Sequence, residues 1–360
     1  MASAHFSQTY AEARQKFLAA ADAAGLAVQS HAHPLTGHDG EALAMDVVRD
    51  GPDDAKALLL LSSACHGVEG FCGSGVQVAL LADAALRAQA HEAGVAILYV
   101  HALNPHGFSF WRRTTHENVD LNRNFHDFDQ PLPENPVYDA LAPLIVPDHW
   151  PPSPEVQAAT TAWISLHGPK AWQAALSGGQ HQHADGLFYG GRAPTWSNHT
   201  LRQVLRAHAQ TCDRLGWIDF HTGLGPNGVG ERILATREDA AALARATAWW
   251  GPDTTSVYDG SSSSAKLTGM MCLSVYGECP QAEFTSIALE YGTEPMETVL
   301  QALRVDQWRA NHPQHAAAQA EAIRRQVRDA FYTDTEVWKQ QVLDQAVLAT
   351  RQAVIGLGNA

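Results

Sequence analysis

Two short runs of almost unbroken apolar residues, Ala57–Cys65 (ALLLLSSAC) and Ala96–His101 (AILYVH), constrain this chain more than any other feature. A strand with one wet face alternates apolar and polar residues. These runs do not alternate, so each reads as a strand covered on both faces. Between them, from Gly73 to His91, small and apolar residues recur at helical spacing. Strand, helix, strand predicts an α/β architecture with a central, mostly parallel mixed sheet flanked by helices.

The remaining pattern extends that frame. An amphipathic helix is expected over Tyr10–Ala24, a turn over Thr36–Gly40 and a strand over Leu43–Val48. The Pro-rich stretch Gln130–Glu155 reads as irregular, with one short helix at Val137–Ile145. Helices are expected at Glu155–His167, Thr200–Arg214 and Glu238–Trp249, with a Gly/His-rich stretch at Ser177–Gly191. Further strands are expected at Trp217–Phe220, Ile233–Ala235 and Glu283–Glu290. Helical patterns run from Glu294 through Val354. With no repeat and no low-complexity linker, residues 1–360 read as one catalytic domain, with 294–360 a helical section packed on it.

Composition narrows the function classes. With 45% hydrophobic and 17% charged residues, the 360-residue chain can bury a large core and is not a disordered one. A net charge of −14 argues against nucleic acid or an anionic membrane as partner, since both call for an excess of Lys and Arg. No apolar run approaches the ~20 residues of a membrane span. Met1–Phe17 lacks the basic-then-apolar pattern of a secretory signal. Five cysteines without a framework spacing fit a reducing compartment, and a cytoplasmic location is expected. Nineteen histidines invite a search for a metal site.

The sharpest local signal is His66-Gly67-Val68-Glu69-Gly70, directly after the first buried strand. An imidazole and a carboxylate three residues apart in a strand-to-helix turn can meet at one point, as half of a zinc site. A solvated loop in a His-rich chain has the same look. A second segment, Asp219-Phe220-His221-Thr222-Gly223, ends another apolar strand and offers a third ligand where strand ends gather. Asp219, two residues before His221, lies on the same side and can orient its ring. Two His and one Glu leave a position open for water, as in a catalytic zinc site. Trp111-Arg112-Arg113 and Asn118–Phe125 (NVDLNRNF) place arginines in an acidic protein, which suits carboxylate recognition or a plain surface ion pair. Ala288-Leu289-Glu290-Tyr291-Gly292 ends an apolar strand in a carboxylate, at a sheet rim or in a site.

Taken in order, from about Leu58 to Gly292, these segments resemble the zinc metallocarboxypeptidase superfamily, near a branch related to the aspartoacylase and succinylglutamate desuccinylase deacylases. The resemblance implies one Zn2+ held by His66, Glu69 and His221. It implies Glu290 as the general base that activates zinc-bound water, and Asn122 with Arg123 as the clamp for the substrate's carboxylate. Arg113 matches the arginine that stabilises the oxyanion, with Arg112 as its close rival. The family's closing tyrosine has no match: Tyr258 and Tyr276 both precede Glu290. Among Lys266, Thr268 and Met270, no spacing singles out a specificity residue.

Other features are read more plainly. Gln180–Gly191 (QHQHADGLFYGG) is either a loop at the site's rim, with His183 or Tyr189 touching substrate, or a turn satisfied locally. Cys65 is expected in the core, and His101, His106, His116 and His126 as packing or surface residues. The resulting expectation is a zinc-dependent hydrolase cleaving an amide bond beside a free carboxylate. A small peptide or an N-acyl amino acid would be its substrate. A non-catalytic carboxylate-binding module is the rival from another class. Nothing in the sequence bears on oligomeric state.

Overall fold

The computed structural model describes residues 1–359 and contains one eight-stranded sheet. Its strands are β1 Val28–Thr36, β2 Ala42–Asp50, β3 Ala57–Ser62, β4 Val95–His101, β5 Arg214–Asn227, β6 Gly230–Leu234, β7 Thr254–Thr255 and β8 Glu283–Gly292, in the order β1-β2-β4-β3-β5-β8-β6-β7. The middle strands β4, β3, β5 and β8 are parallel. The pairs β1–β2, β2–β4 and β6–β8 are antiparallel, so the sheet is mixed with a parallel centre.

The helices are α1 Tyr10–Ala23, α2 Gly70–Ala82, α3 Ala84–Glu92, α4 Pro105–Phe110, α5 Pro136–Ile145, α6 Pro154–His167, α7 Pro169–Ser177, α8 Trp196–Ala209, α9 Ala240–Trp250, α10 Ser274–Glu278, α11 Met296–Asn311, α12 Ala320–Phe331 and α13 Glu336–Gly358. Leu59 and Leu61 of β3 pack with Ile97, Tyr99, Ile218 and Phe220 into a core that includes α1, α2 and α13. Leu58 and Leu60 face the other way, into a core with Leu98, Val100, Leu215, Trp217 and α8. Neighbouring residues of one strand thus serve opposite cores, which is why its apolar run is unbroken. A third apolar group joins α5 and α7 to α11 and α12 through Tyr138, Trp172, Leu176, Leu303 and Phe331.

The structure departs from the sequence expectations in places. The stretch Gly73–His91 is two helices, parted at Asp83, whose carboxylate caps α3 by accepting the N–H of Leu86. The helix expected over Thr200–Arg214 is α8, which Thr195 caps and which ends at Ala209; Arg214 already opens β5. β1 (VQSHAHPLT) was not anticipated, because a polar, Pro-containing edge strand lacks the apolar signature. Among the described residues, no helix is long and apolar enough to cross a membrane.

Candidate metal centre

Because β3, β5 and β8 are parallel, their C-terminal ends open on one edge of the sheet, where α/β folds gather ligands. β3 ends at Ser62. The chain then turns through Ala64, at φ 58°, to place His66 before the single turn Gly67–Glu69 that leads into α2. That turn is fastened to the segment leaving α4: the N–H groups of Gly67 and Val68 donate to the carbonyls of Arg113 and Arg112. A Cβ on Gly67 would fall 2.1 Å from the carbonyl carbon of Gly107, so only glycine allows this approach. Register does the rest. Ser62 lies level with Asp219, and His221 with Glu290.

Glu69 is the hub. His66 Nδ1 lies 2.9 Å from its Oε1, and His221 Nδ1 2.9 Å from its Oε2. One ligand atom from each of the three buried residues falls within 4.8 Å of the others. Each imidazole is backed by a carboxylate at its far nitrogen: His66 Nε2 lies 3.2 Å from Asp120 Oδ1, and His221 Nε2 is hydrogen bonded to Asp219 Oδ2. Asp219 accepts from Ser62 Oγ at 2.6 Å, and that oxygen accepts from Trp217 Nε1 at 2.7 Å. The rings are therefore held with Nδ1 turned toward Glu69.

The electrostatics are those of closely paired opposite charges. Four carboxylates, Glu69, Asp120, Asp219 and Glu290, are buried there. Two guanidiniums, Arg113 and Arg123, face them. Burial opposes a charge on His221, but Asp219 and Glu69 outweigh burial and hold its imidazole well above the ordinary range. Burial pushes Glu290 up to about 8, and the neighbouring charge of Glu69 adds to the rise. Burial also opposes the charge on Asp120, but Arg113, Arg123 and His66 overcome it and hold that carboxyl well below the usual range. Two imidazole nitrogens and a carboxylate oxygen, each ring oriented from behind, are a donor set that fits zinc. A second group, Cys65, Asp219 and His221, also has ligand atoms within 4.8 Å of one another. Cys65 lies in the core and does not line the cleft, whereas His66, Glu69 and His221 all do.

Residues 6–345 match a family model described as "Protein of unknown function (DUF2817)". The chain belongs to the DUF2817 family. No curated protein matches it. Bovine thrombin-activatable fibrinolysis inhibitor, solved in complex with tick carboxypeptidase inhibitor, is similar in structure, with a TM-score of 0.55 at 10% identity over 98% of each chain. Carboxypeptidase A from Helicoverpa armigera gives a TM-score of 0.47 at 12% identity, over 90% of this chain and 74% of its own. A metallo-carboxypeptidase from Burkholderia cenocepacia gives 0.41 at 13% identity, over 96% and 67%. At such identities the likeness is one of fold: this DUF2817 protein has a carboxypeptidase-like fold with a candidate metal site.

The cleft of the DUF2817 chain brings most of the expected residues together. Glu290 accepts the N–H of Leu224 at 3.0 Å and lines the cleft beside His221. Arg113 is anchored to Asp120 through Nε at 3.0 Å, with Nη1 3.2 Å from Glu69 and Nη2 2.8 Å from His66 Nε2. Asn122 Oδ1 accepts the N–H of Met271, which leaves its NH2 free to face the cleft. Arg123 is tied to the carbonyls of Ser177 and Asn122. Its guanidinium and that of Arg113 lie 5.5 and 5.1 Å from the ring of Phe188.

Three expectations are corrected. Arg112 does not reach the cleft; it pairs with Asp306 at 2.9 Å and bonds Asn118 and Gln307. His183 turns away to Asp139 at 3.0 Å. Tyr189 is buried outside the cleft, its carbonyl accepting the N–H of Asp120. From that Gly-rich loop it is Phe188, at φ 53°, that enters the cleft. Neither Tyr258 nor Tyr276 lines it, and of the three specificity candidates only Met270 does. Asp120 and Phe188 were missed as site residues. Asp120 had a faint signal, standing two residues before Asn122 in a motif already read as functional.

Proposed function

We propose that this DUF2817 protein is a zinc-dependent hydrolase that cleaves an amide bond next to a free carboxylate. The observation that supports it most is the buried convergence of His66, Glu69 and His221, ring-backed by Asp120 and Asp219, on the floor of an open cleft. When bound, zinc supplies a Lewis acid for the carbonyl and acidifies water. Glu290, at the same floor, takes a proton from the attacking water and returns it to the leaving nitrogen. Arg113, fixed by Asp120, offers N–H donors to the negative charge that develops on the carbonyl oxygen. The free NH2 of Asn122 and the guanidinium of Arg123 hold the substrate's carboxylate. Leu267, Met270, Ile233, Ala235 and Ala288 give the cleft an apolar wall, which suits a substrate with an apolar side chain.

The test is a panel of short peptides and N-acyl amino acids, each with a free or an amidated carboxyl end, given to zinc-loaded protein. Turnover of the free-carboxylate members, lost on amidation, is expected. Glu290→Gln should keep its zinc and lose about 10²–10⁴ in kcat. Turnover of N-acyl amino acids alone would replace the peptidase reading with a deacylase on the same residues. Full activity in metal-replete Glu290→Gln, or none across the panel, would end the proposal.

A further inference from the structure

Beside the catalytic cleft lies a second cavity, between α6, α7 and α11. It is lined by Gln157, Thr160, Thr161 and Ile164 of α6, by Trp172 of α7, and by Met296, Glu297, Leu300, Gln301 and Arg304 of α11. Met296 and Leu300 also line the catalytic cleft, so one ridge forms a wall of both. The roof is unusual: not one residue of α6 is buried, although Ile164 and Trp163 lie on it. It meets the core only through the partly buried Trp163 and Ile164, the former 5.7 Å from the Trp172 ring.

Arg304 marks the chemistry. It is one of three arginines with less than a tenth of their surface exposed. The other two have a carboxylate within reach, Asp120 for Arg123 at 3.7 Å and Glu321 for Arg324 at 2.8 Å. Arg304 has none among the described residues. Its Nε and Nη2 donate to the carbonyls of Ile145 and Leu144, and its Nη1 to Gln301 Oε1. Those carbonyls end α5, so the guanidinium caps that helix and meets roughly half a negative charge. Three of its five N–H groups are thereby used. The Trp150 ring, 5.5 Å from the guanidinium carbon, takes up part of the remaining charge, and two N–H groups are left at a cavity wall without an anion. Glu297, the one acid lining the cavity, is exposed and stands two helical turns away on α11, about 10 Å along the axis.

We propose that this cavity is a second subsite of the cleft, which takes a carboxylate carried at the far end of an extended substrate. Arg304 receives that carboxylate, the amides and hydroxyls of Gln157, Thr160, Thr161 and Gln301 bond the polar chain leading to it, and Trp172 covers its apolar part. The inference rests on the hydrolase reading for the position of the scissile bond, but the subsite itself is tested by binding.

The experiment uses peptides of two to four residues with one C-terminal sequence, capped at the N-terminus with glutaryl or with its neutral amide. In the zinc-loaded wild type, kcat/KM and Kd should favour the glutaryl member by about tenfold or more at one length. In Arg304→Gln that ratio should fall to near one. Because Arg304 also caps α5, a second variant on the exposed roof, Gln157→Glu, should lower or invert the ratio without touching the cap. Equal handling of the two caps by the wild type, or an unchanged ratio in both variants, would overturn the subsite. If no peptide is hydrolysed, the hydrolase reading fails, while the calorimetric Kd ratio still decides the subsite.

Discussion

At the scale of single residues, the centre depends on the groups behind its ligands. Asp219 meets His221 Nε2, and Asp120 meets His66 Nε2 while capping the turn that carries Asn122. Asp219→Asn and Asp120→Asn should each weaken zinc binding by about 10–100-fold, read by chelator competition, with the circular dichroism spectrum unchanged. The first was legible in the sequence, because strand alternation puts Asp219 and His221 on one side. The second was not, since Asp120 and His66 meet only when two loops fold together. A separate prediction concerns His101, which is buried with its ring stacked on Phe17 at 4.4 Å and Nε2 2.9 Å from Ser74 Oγ. Burial lowers its pKa from 6.5 to about 4. The folded protein thus refuses a proton that the unfolded chain accepts between those values. The stability His101 contributes is complete above pH 6.5 and is lost as the pH falls toward 4, by about 3 kcal/mol in all. Urea midpoints at pH 7 and pH 5 should differ clearly in the wild type. His101→Gln, which keeps a partner for Ser74, should narrow that gap; an equal gap would exclude His101 as the source.

At the scale of elements, what was legible follows from how each element is covered. β3 and β4 announced themselves because both faces are buried, and β8 because its apolar run ends in one carboxylate. β1 hid behind its polar edge, and the parting of α2 from α3 turns on a single cap at Asp83. The Gly-rich loop was read as a rim, but which side chain it sends inward is set by the left-handed backbone at Phe188, which sequence spacing does not reveal. The turn Gly67–Glu69 shows the same dependence on tertiary contact. Gly67→Ala would press a methyl group against the backbone of Gly107 and push His66 and Glu69 away from Arg113. The expected result is a loss of about 1–3 kcal/mol in stability together with weakened zinc binding. Gly277→Ala is the contrast: its Cβ would meet only a side-chain atom of Arg202 at 4.0 Å, so both measures should stay near wild type. Thermal unfolding and chelator competition on the two variants decide it.

At the scale of the whole molecule, the centre joins parts of the chain that are far apart in sequence. His66 and Glu69 leave β3, Arg113 and Asp120 come from the loop after α4, and His221 and Glu290 sit on β5 and β8. These segments are drawn together around four buried carboxylates, faced by two guanidiniums and two imidazoles. Both imidazoles and Arg113 meet Glu69. A divalent ion bound there would act on the native state alone, since the unfolded chain does not hold its three ligands together. The gain then follows mass action: about 2.7 kcal/mol at a free concentration one hundred times Kd. For a chain of this length the unfolding entropy is about 0.75 kcal/mol per degree, so Tm should rise by about 3–4 °C on zinc loading. The rise should grow with the logarithm of zinc concentration and disappear in His221→Ala. A Tm indifferent to zinc, or a rise that survives in His221→Ala, would place the ion elsewhere or nowhere.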